Sequence, residues 1–103
     1  MNRGEVWWVE RPDEGRRPHL VLTRQIVIPV VNSVLAVPAT RTIRSIPTEV
    51  ELNSDDGMPG GCALSVDNTT LIPKAFFVER ICTLGPERME SVCEALAHAT
   101  GCR

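Results

Sequence analysis

An arginine-proline pair and a threonine are the residues of this chain best suited to binding a phosphoryl group. Arg17-Pro18 stands directly before the β-rich run Leu20–Thr23, and Thr40 follows the strand-like run Ser33–Val37. A guanidinium group binds phosphate oxygens through paired N–H donors, and a threonine hydroxyl adds another donor. Because proline biases the preceding residue toward extended backbone, Arg17 is expected to project out of its loop. From the residues alone, Arg17 is a candidate for stabilising developing negative charge, and the alternatives are a solvated loop arginine and an ordinary threonine at the end of a strand.

The sequence offers little for metal chemistry or for histidine acid-base chemistry. Four cysteines lie far apart with no C-x-x-C pair, so the spacing of a metal site is missing, and we expect neither metal nor cofactor. Two histidines can act as acid and base, but His19 lies in a strand-like run and His98 in a helical segment, so this is a minor alternative. The cysteines expected to be small buried residues are Cys62, Cys82 and Cys93, with Cys102 exposed.

Charge is distributed unevenly, although the net charge is only −2. Residues 1–48 carry seven arginines and four acidic residues, a balance of +3, whereas residues 49–103 carry four basic and nine acidic residues, a balance of −5. Ten of the eleven basic residues are arginine, which suits phosphate contacts but also accompanies GC-rich genomes. The N-terminal half is therefore expected to form a local basic surface.

The length and composition are those of one ordinary globular domain spanning residues 1–103. The chain is 43% apolar and 23% charged, and no apolar run approaches the roughly 20 residues that a membrane helix needs. The start of the sequence, Met1 to Glu5, lacks the apolar stretch of a secretory signal. We therefore expect a soluble, cytoplasmic protein without a membrane segment.

Alternating and β-branched segments predict several short strands, followed by one helix. The predicted strands are Glu5–Glu10, Leu20–Thr23, Ile26–Val31 (interrupted by Pro29), Ser33–Val37, Thr48–Leu52, Cys62–Val66 and Phe76–Leu84. Apolar residues then recur at helical spacing from Met89 to Ala97, Pro86 suits a first helical position, and Gly101 can end the helix. The fold class is therefore α+β: a small, strongly bent antiparallel sheet or open barrel with a C-terminal helix packed on it.

Four short segments, taken in order and spacing, resemble the MazF/PemK (Kid) family of toxin endoribonucleases. They are Arg3-Gly4-Glu5-Val6-Trp7, Arg17-Pro18-His19-Leu20-Val21-Leu22-Thr23, Val37-Pro38-Ala39-Thr40 and Pro47-Thr48-Glu49-Val50-Glu51-Leu52. The resemblance covers nearly the whole chain. It implies the barrel shared by MazF and CcdB, a homodimer, and a cognate MazE-like antitoxin.

The resemblance also assigns the site residues. It implies that Arg17 and Thr40 are catalytic in a metal-independent cleavage of single-stranded RNA, with attack by the 2′-OH leaving a 2′,3′-cyclic phosphate and a 5′-OH. Glu14 corresponds to an acidic residue of the family's first loop, which is shorter in this chain. Further contacts to RNA are expected from Arg16, Arg41 and Arg44, and from Trp7 as a stacking surface. Trp7 and Trp8 are expected on opposite faces of a strand, so only one of them can stack on RNA.

Two other function classes fit the same architecture. A CcdB-like toxin binds DNA gyrase without cutting RNA, and an inactive barrel only binds RNA or protein. The Arg17-Pro18 and Thr40 pair favours the nuclease over the gyrase-binding toxin, whereas binding without cleavage products would indicate the inactive barrel.

Overall fold

The computed structural model describes residues 1–102, and within them seven strands precede one α-helix. The elements are β1 (Glu5–Arg11), β2 (Gly15–Val21), β3 (Ser33–Thr40), β4 (Glu49–Leu52), β5 (Cys62–Ser65), β6 (Thr70–Pro73), β7 (Phe77–Thr83) and α1 (Pro86–Thr100). The predicted α+β class is confirmed.

The strands form one bent antiparallel sheet that does not close into a barrel. Its order is β4-β5-β3-β2-β1-β7, and β6 also pairs with β3. The long strand β3 pairs with β6 through Ser33–Ala36 and with β5 through Ala39 and Thr40. Since one strand serves two partners in succession, the sheet bends at β3, and the end of that strand comes to lie beside the β4–β5 loop.

Two hydrophobic cores lie on opposite faces of the sheet. Alternate side chains of a strand point to opposite faces, so β1, β2 and β3 contribute to both cores. The first core packs against α1 and includes Val6, Leu20, Val37, Leu64, Val92 and Ala95. The second core includes Val9, Val21, Ile28, Val34, Ile72 and Phe77. The central strands are thus held from both sides, which makes them a rigid base for polar groups at their ends.

The C-terminal helix forms where the apolar periodicity predicts it. Pro86 is its first residue, and Gly101 ends it with φ of 67° and an N–H that donates to the Ala97 carbonyl at 2.8 Å. The prediction that Cys93 is buried is wrong, because the inward stripe of the helix runs through Val92 and Ala95 and leaves that thiol exposed.

Three strand predictions need correction. β2 begins at Gly15, because the hairpin with β1 stays paired as far as Arg11, so Arg17 lies within a strand rather than in a loop. The segment Ile26–Val31 is not a strand; it contains a short 3-10 turn, Gln25–Val27, ahead of Pro29. β6 was missed because only Ile72 of its four residues is buried, which leaves little pattern to detect.

Candidate active site

A groove of about 580 Å³ opens between the β1–β2 hairpin, the end of β3 and the β4–β5 loop. It brings together four of the residues predicted from the sequence: Arg16, Arg17, Thr40 and Arg41. The remaining lining residues are Trp8, Pro18, Ala39, Thr42 and the segment from Met58 to Cys62.

The antiparallel pairing of β2 with β3 brings Arg17 and Thr40 to the same end of the two strands. His19 pairs with Pro38, and Val21 with Ala36. The paired register ends at His19 and Pro38, and Arg17 and Thr40 each lie two residues beyond it. Arg17 and Thr40 therefore both line the groove, from neighbouring strands of the sheet.

Both groups are available to a ligand. The Thr40 Oγ1 accepts a hydrogen bond from the Thr42 N–H at 3.2 Å, which leaves the hydroxyl proton free to be donated. Within residues 1–102, the six ion pairs include neither Arg17 nor Arg41. Two guanidinium groups at the groove are therefore free of carboxylate partners and suited to bind phosphate.

Arg16 also lines the groove, but unlike Arg17 and Arg41 it is paired with carboxylates. Its Nη2 lies 2.7 Å from Glu79 Oε1 and its Nη1 lies 3.4 Å from Glu10 Oε1. Its guanidinium carbon also lies 5.0 Å from the ring centroid of Trp8, a cation–π distance. Arg16 is thus partly neutralised, and it orders the Trp8 ring at the groove.

Of the two tryptophans, Trp8 lines the groove. Trp7 does not line the groove; its ring meets Phe77 edge to face at 6.5 Å, and its Nε1 donates to Glu5 Oε1 at 3.0 Å. The two tryptophans do lie on opposite faces of β1, and Trp8 is the one beside Arg16 and Arg17.

Glu14 and Arg44 also lie outside the groove. Glu14 pairs with Arg11 at 3.1 Å and borders a neighbouring cavity of about 430 Å³ that shares Arg17 with the groove. Arg44 is held by Glu49, to which it donates from its backbone N at 2.8 Å and from Nη1 at 3.2 Å. The Glu49 side chain is only 2% exposed. Its hydrogen bonds and ion pair with Arg44 therefore anchor the loop after β3.

The two histidines are not brought together. His19 lies in the cavity beside Arg17, and its Nδ1 is 3.1 Å from the Arg17 carbonyl oxygen. Burial, together with the nearby charges of Arg17 and Arg11, lowers the pKa of His19, against an opposing effect of the hydrogen bond to the Arg17 carbonyl. His98 borders a separate depression between α1 and β4. This arrangement gives no support to a two-histidine mechanism.

Two further observations concern residues 1–102. No cluster of three or more His, Cys, Asp or Glu side chains in this part of the chain is arranged to hold a metal ion. No helix formed by these residues has the length and apolar character needed to cross a membrane.

Two parts of the groove are not predicted by the sequence patterns: the β4–β5 wall and the place of Trp8 in the lining. Pro59-Gly60-Gly61 has the composition of a turn between strands, and its glycine pair also marks backbone that a ligand can approach closely. Trp7 and Trp8 are both candidates for the groove in the sequence, because only the pairing of the strands decides which ring faces it.

This fold and groove define a toxin of the PemK/MazF class, and the family comparison agrees. Residues 2–100 match the family model described as the PemK-like, MazF-like toxin of type II toxin-antitoxin systems. The chain belongs to this family, and the match favours the nuclease class over a gyrase-binding toxin.

Similar proteins come from mycobacteria. The chain is 39% identical to the probable endoribonuclease MazF2 of Mycobacterium tuberculosis over 99% of its own length and 100% of that protein. It matches the solved structure of the M. tuberculosis toxin MazF-mt6 with a TM-score of 0.87 and 29% identity, covering 94% of this chain and 96% of that one. A mycobacterial endoribonuclease solved with its cognate antitoxin matches with a TM-score of 0.90 and 27% identity, over 100% and 97% of the two chains.

Proposed function

We propose that this protein is a sequence-specific, metal-independent endoribonuclease toxin that cuts single-stranded RNA in the groove around Arg17 and Thr40. The observation that carries the proposal is that Arg17, which has no carboxylate partner within residues 1–102, and Thr40 line one groove in a chain of the PemK/MazF family. The family assignment supplies the reaction class, and the groove supplies the donors.

Cleavage proceeds when the ribose 2′-OH attacks the adjacent phosphorus. The P–O bond to the 2′-oxygen forms, the bond to the 5′-oxygen breaks, and the proton lost by the 2′-OH is balanced by the proton gained by the 5′-oxygen. The products are a 2′,3′-cyclic phosphate and a 5′-OH. Negative charge grows on the phosphoryl oxygens, where Arg17 and the Thr40 hydroxyl donate. Arg41 binds a neighbouring phosphate, and Trp8 stacks on an unpaired base.

A cognate MazE-like antitoxin is the proposed inhibitor, acting with the toxin in the cytoplasm. Ile43 and Ile46 are 42% and 41% exposed on the loop that also carries Arg41. An acidic, apolar tail fits apolar side chains beside an unpaired guanidinium. Such a tail would cover Arg41 and Arg17 and exclude RNA.

The protein is also proposed to act as a homodimer. Leu35 on β3 and Leu71 on β6 are paired neighbours, 43% and 62% exposed. Ile26 and Val30, in the turn before β3, are 82% and 79% exposed. Lys74 ties this turn to the end of β6 through the Ile28 carbonyl at 2.7 Å. Four exposed apolar side chains on adjoining elements are suited to an interface between two copies.

The function is tested by incubating long single-stranded RNA with the purified protein in EDTA and mapping the cut sites and their ends. We expect cuts at a short recurring sequence with cyclic-phosphate ends. Arg17→Ala is expected to reduce cleavage by at least about 100-fold, and Thr40→Val by a similar order, as for the loss of one oxyanion donor. Full activity of folded Arg17→Ala would refute the assignment, and intact RNA with trapped gyrase would point to the other toxin class.

A further inference from the structure

The β4–β5 loop spans residues 53–61. Its last part, from Met58 to the start of β5 at Cys62, forms a wall of the groove. At Gly60 and Gly61 this wall carries no side chain. Met58 and Cys62 are only 5% and 7% exposed, so both ends of the wall are anchored. Between them, a Cβ placed at Gly60 or Gly61 would have no neighbour within 4 Å. Backbone N–H and carbonyl groups at these two residues are therefore accessible to the base edges of a bound strand.

The start of the loop has a defined conformation built from its own residues. The Asn53 N–H donates to Asp56 Oδ2 at 2.9 Å, and the Asp55 N–H donates to Asn53 Oδ1 at 2.8 Å. Gly57 follows with φ of 95°, and a Cβ at that position would lie 2.7 Å from Cys82 Cβ. The loop therefore packs closely against β7 at Gly57, before the chain reaches the groove.

A long-range ion pair ties this loop to the helix. Arg88 Nε donates to Asp56 Oδ1 at 2.9 Å, although the two residues are 32 positions apart. The Asp56 side chain is 11% exposed. Burial alone would raise the pKa of Asp56, but the hydrogen bonds from Arg88 and from the Asn53 N–H outweigh it and hold that pKa below its ordinary value of 3.8. The carboxylate stays ionised, and neither residue lines the groove.

We propose that Asp56 and Arg88 are positioning residues that fix the β4–β5 wall and thereby determine which RNA sequences the groove accepts. This rests on the proposed function and deepens it by naming residues outside the groove that set its specificity. The reacting phosphate is held by Arg17 and Thr40 on β2 and β3, whereas the wall meets the flanking bases. A shift of the wall therefore changes the preference among sequences more than it changes the chemistry.

The size of the effect follows from how strictly reacting groups must be placed. A displacement of about 1 Å can cost about 100-fold in rate. A residue with a purely structural role would lower the active fraction by the same factor for every RNA. A positioning residue instead changes the ratio of kcat/KM between the preferred sequence and its single-base variants.

The experiment compares Arg88→Gln and Asp56→Asn with the wild type on the preferred RNA and on variants with one flanking base changed. Arg80→Gln is the matched control, because Arg80 lies 3.6 Å from another buried carboxylate, Glu5, away from the groove. We expect the discrimination ratio to fall at least about tenfold in both test variants and to stay unchanged in the control. Arg88→Lys, which keeps the charge, should restore part of the ratio. Equal losses on all RNAs would overturn the proposal.

Gly61→Ala gives a test that does not depend on the stability of the ion pair. The added methyl group enters open space, so the fold is retained. We expect a changed preference at the same flanking position that Arg88→Gln affects, and an unchanged preference would overturn the proposal. If the wild type cuts no RNA, the proposed function fails and the positioning role fails with it. If the wild type cuts normally and only the ratios stay constant, the positioning role alone fails.

Discussion

At the scale of single residues, the groove separates arginines that are free from arginines that are already paired. Arg17 and Arg41 have no carboxylate partner within residues 1–102, whereas Arg16 is held between Glu79 and Glu10, and Arg44 is held by Glu49. A phosphate contact by a paired arginine must first break an ion pair, which offsets part of the gain. For phosphate binding, the residues around each arginine therefore matter more than the presence of an arginine at that position.

The two tryptophans give a paired prediction. Trp8→Ala removes a stacking surface, worth about 1–3 kcal/mol per base, and is expected to raise KM for RNA by about tenfold or more. Trp7→Ala removes packing against Phe77 and is expected to lower Tm while leaving KM of the folded protein near the wild-type value. Kinetics on a short fluorogenic RNA and thermal melts measure both effects. A larger rise in KM for Trp7→Ala than for Trp8→Ala would contradict the placement of the groove.

His19 predicts a specific loss of stability in mild acid. Its pKa in the folded protein lies below the ordinary value of 6.5, so the unfolded chain binds a proton more readily. The contribution of neutral His19 to the free energy of unfolding is therefore fully present above pH 6.5. It is lost as the pH falls through that value toward the pKa of the folded protein. Gln at position 19 can still donate to the Arg17 carbonyl but does not titrate.

Urea unfolding between pH 7.5 and 5 measures this effect. The wild-type free energy of unfolding should fall more steeply than that of His19→Gln over this range. Parallel curves for the two proteins would show that burial does not shift the titration of His19.

At the scale of elements, the groove exists because separate segments are held at fixed separations. Gly57 is where the β4–β5 loop turns against β7. Gly57→Ala combines a positive φ of 95° with a contact of 2.7 Å to Cys82 Cβ. It is expected to destabilise the fold by about 1–3 kcal/mol. Gly60→Ala, which meets nothing within 4 Å, should change stability by less than about 0.5 kcal/mol. Chemical denaturation measures both, and equal stabilities would argue against the close approach of loop and strand.

The elements also show what local sequence can and cannot predict. The helix was predictable because Pro86, the apolar repeat and Gly101 all act within one segment. The start of β2 was not, because Arg16 and Arg17 are extended by pairing with β1 rather than by their own propensity. The groove wall was not predictable for a related reason: the loop that carries Gly60 and Gly61 packs against β7 at Gly57 and binds Arg88 of α1 through Asp56, and both partners are far away in sequence.

At the scale of the whole molecule, exposed apolar side chains are concentrated on β3, β6 and the turn before β3. Leu71→Asp places a charge in this patch and is expected to dissociate the proposed homodimer into monomers, because burying an unpaired carboxylate is costly. Val78→Asp is the control, since Val78 is 48% exposed on β7 at another edge of the sheet. Sedimentation velocity measures the mass of each variant. A Leu71→Asp dimer beside a Val78→Asp monomer would place the interface on β7 instead.

In the proposed reaction, the RNA supplies its own nucleophile and Arg17 stabilises the charge that results. The most direct measurement uses two otherwise identical RNA oligonucleotides, one with a single 2′-deoxyribose at the nucleotide 5′ of the cut, incubated with the protein in EDTA. We predict that the all-ribose strand is cut to a 2′,3′-cyclic phosphate, while the substituted strand binds with similar affinity and stays intact. Cleavage of the substituted strand at the same position would contradict the account.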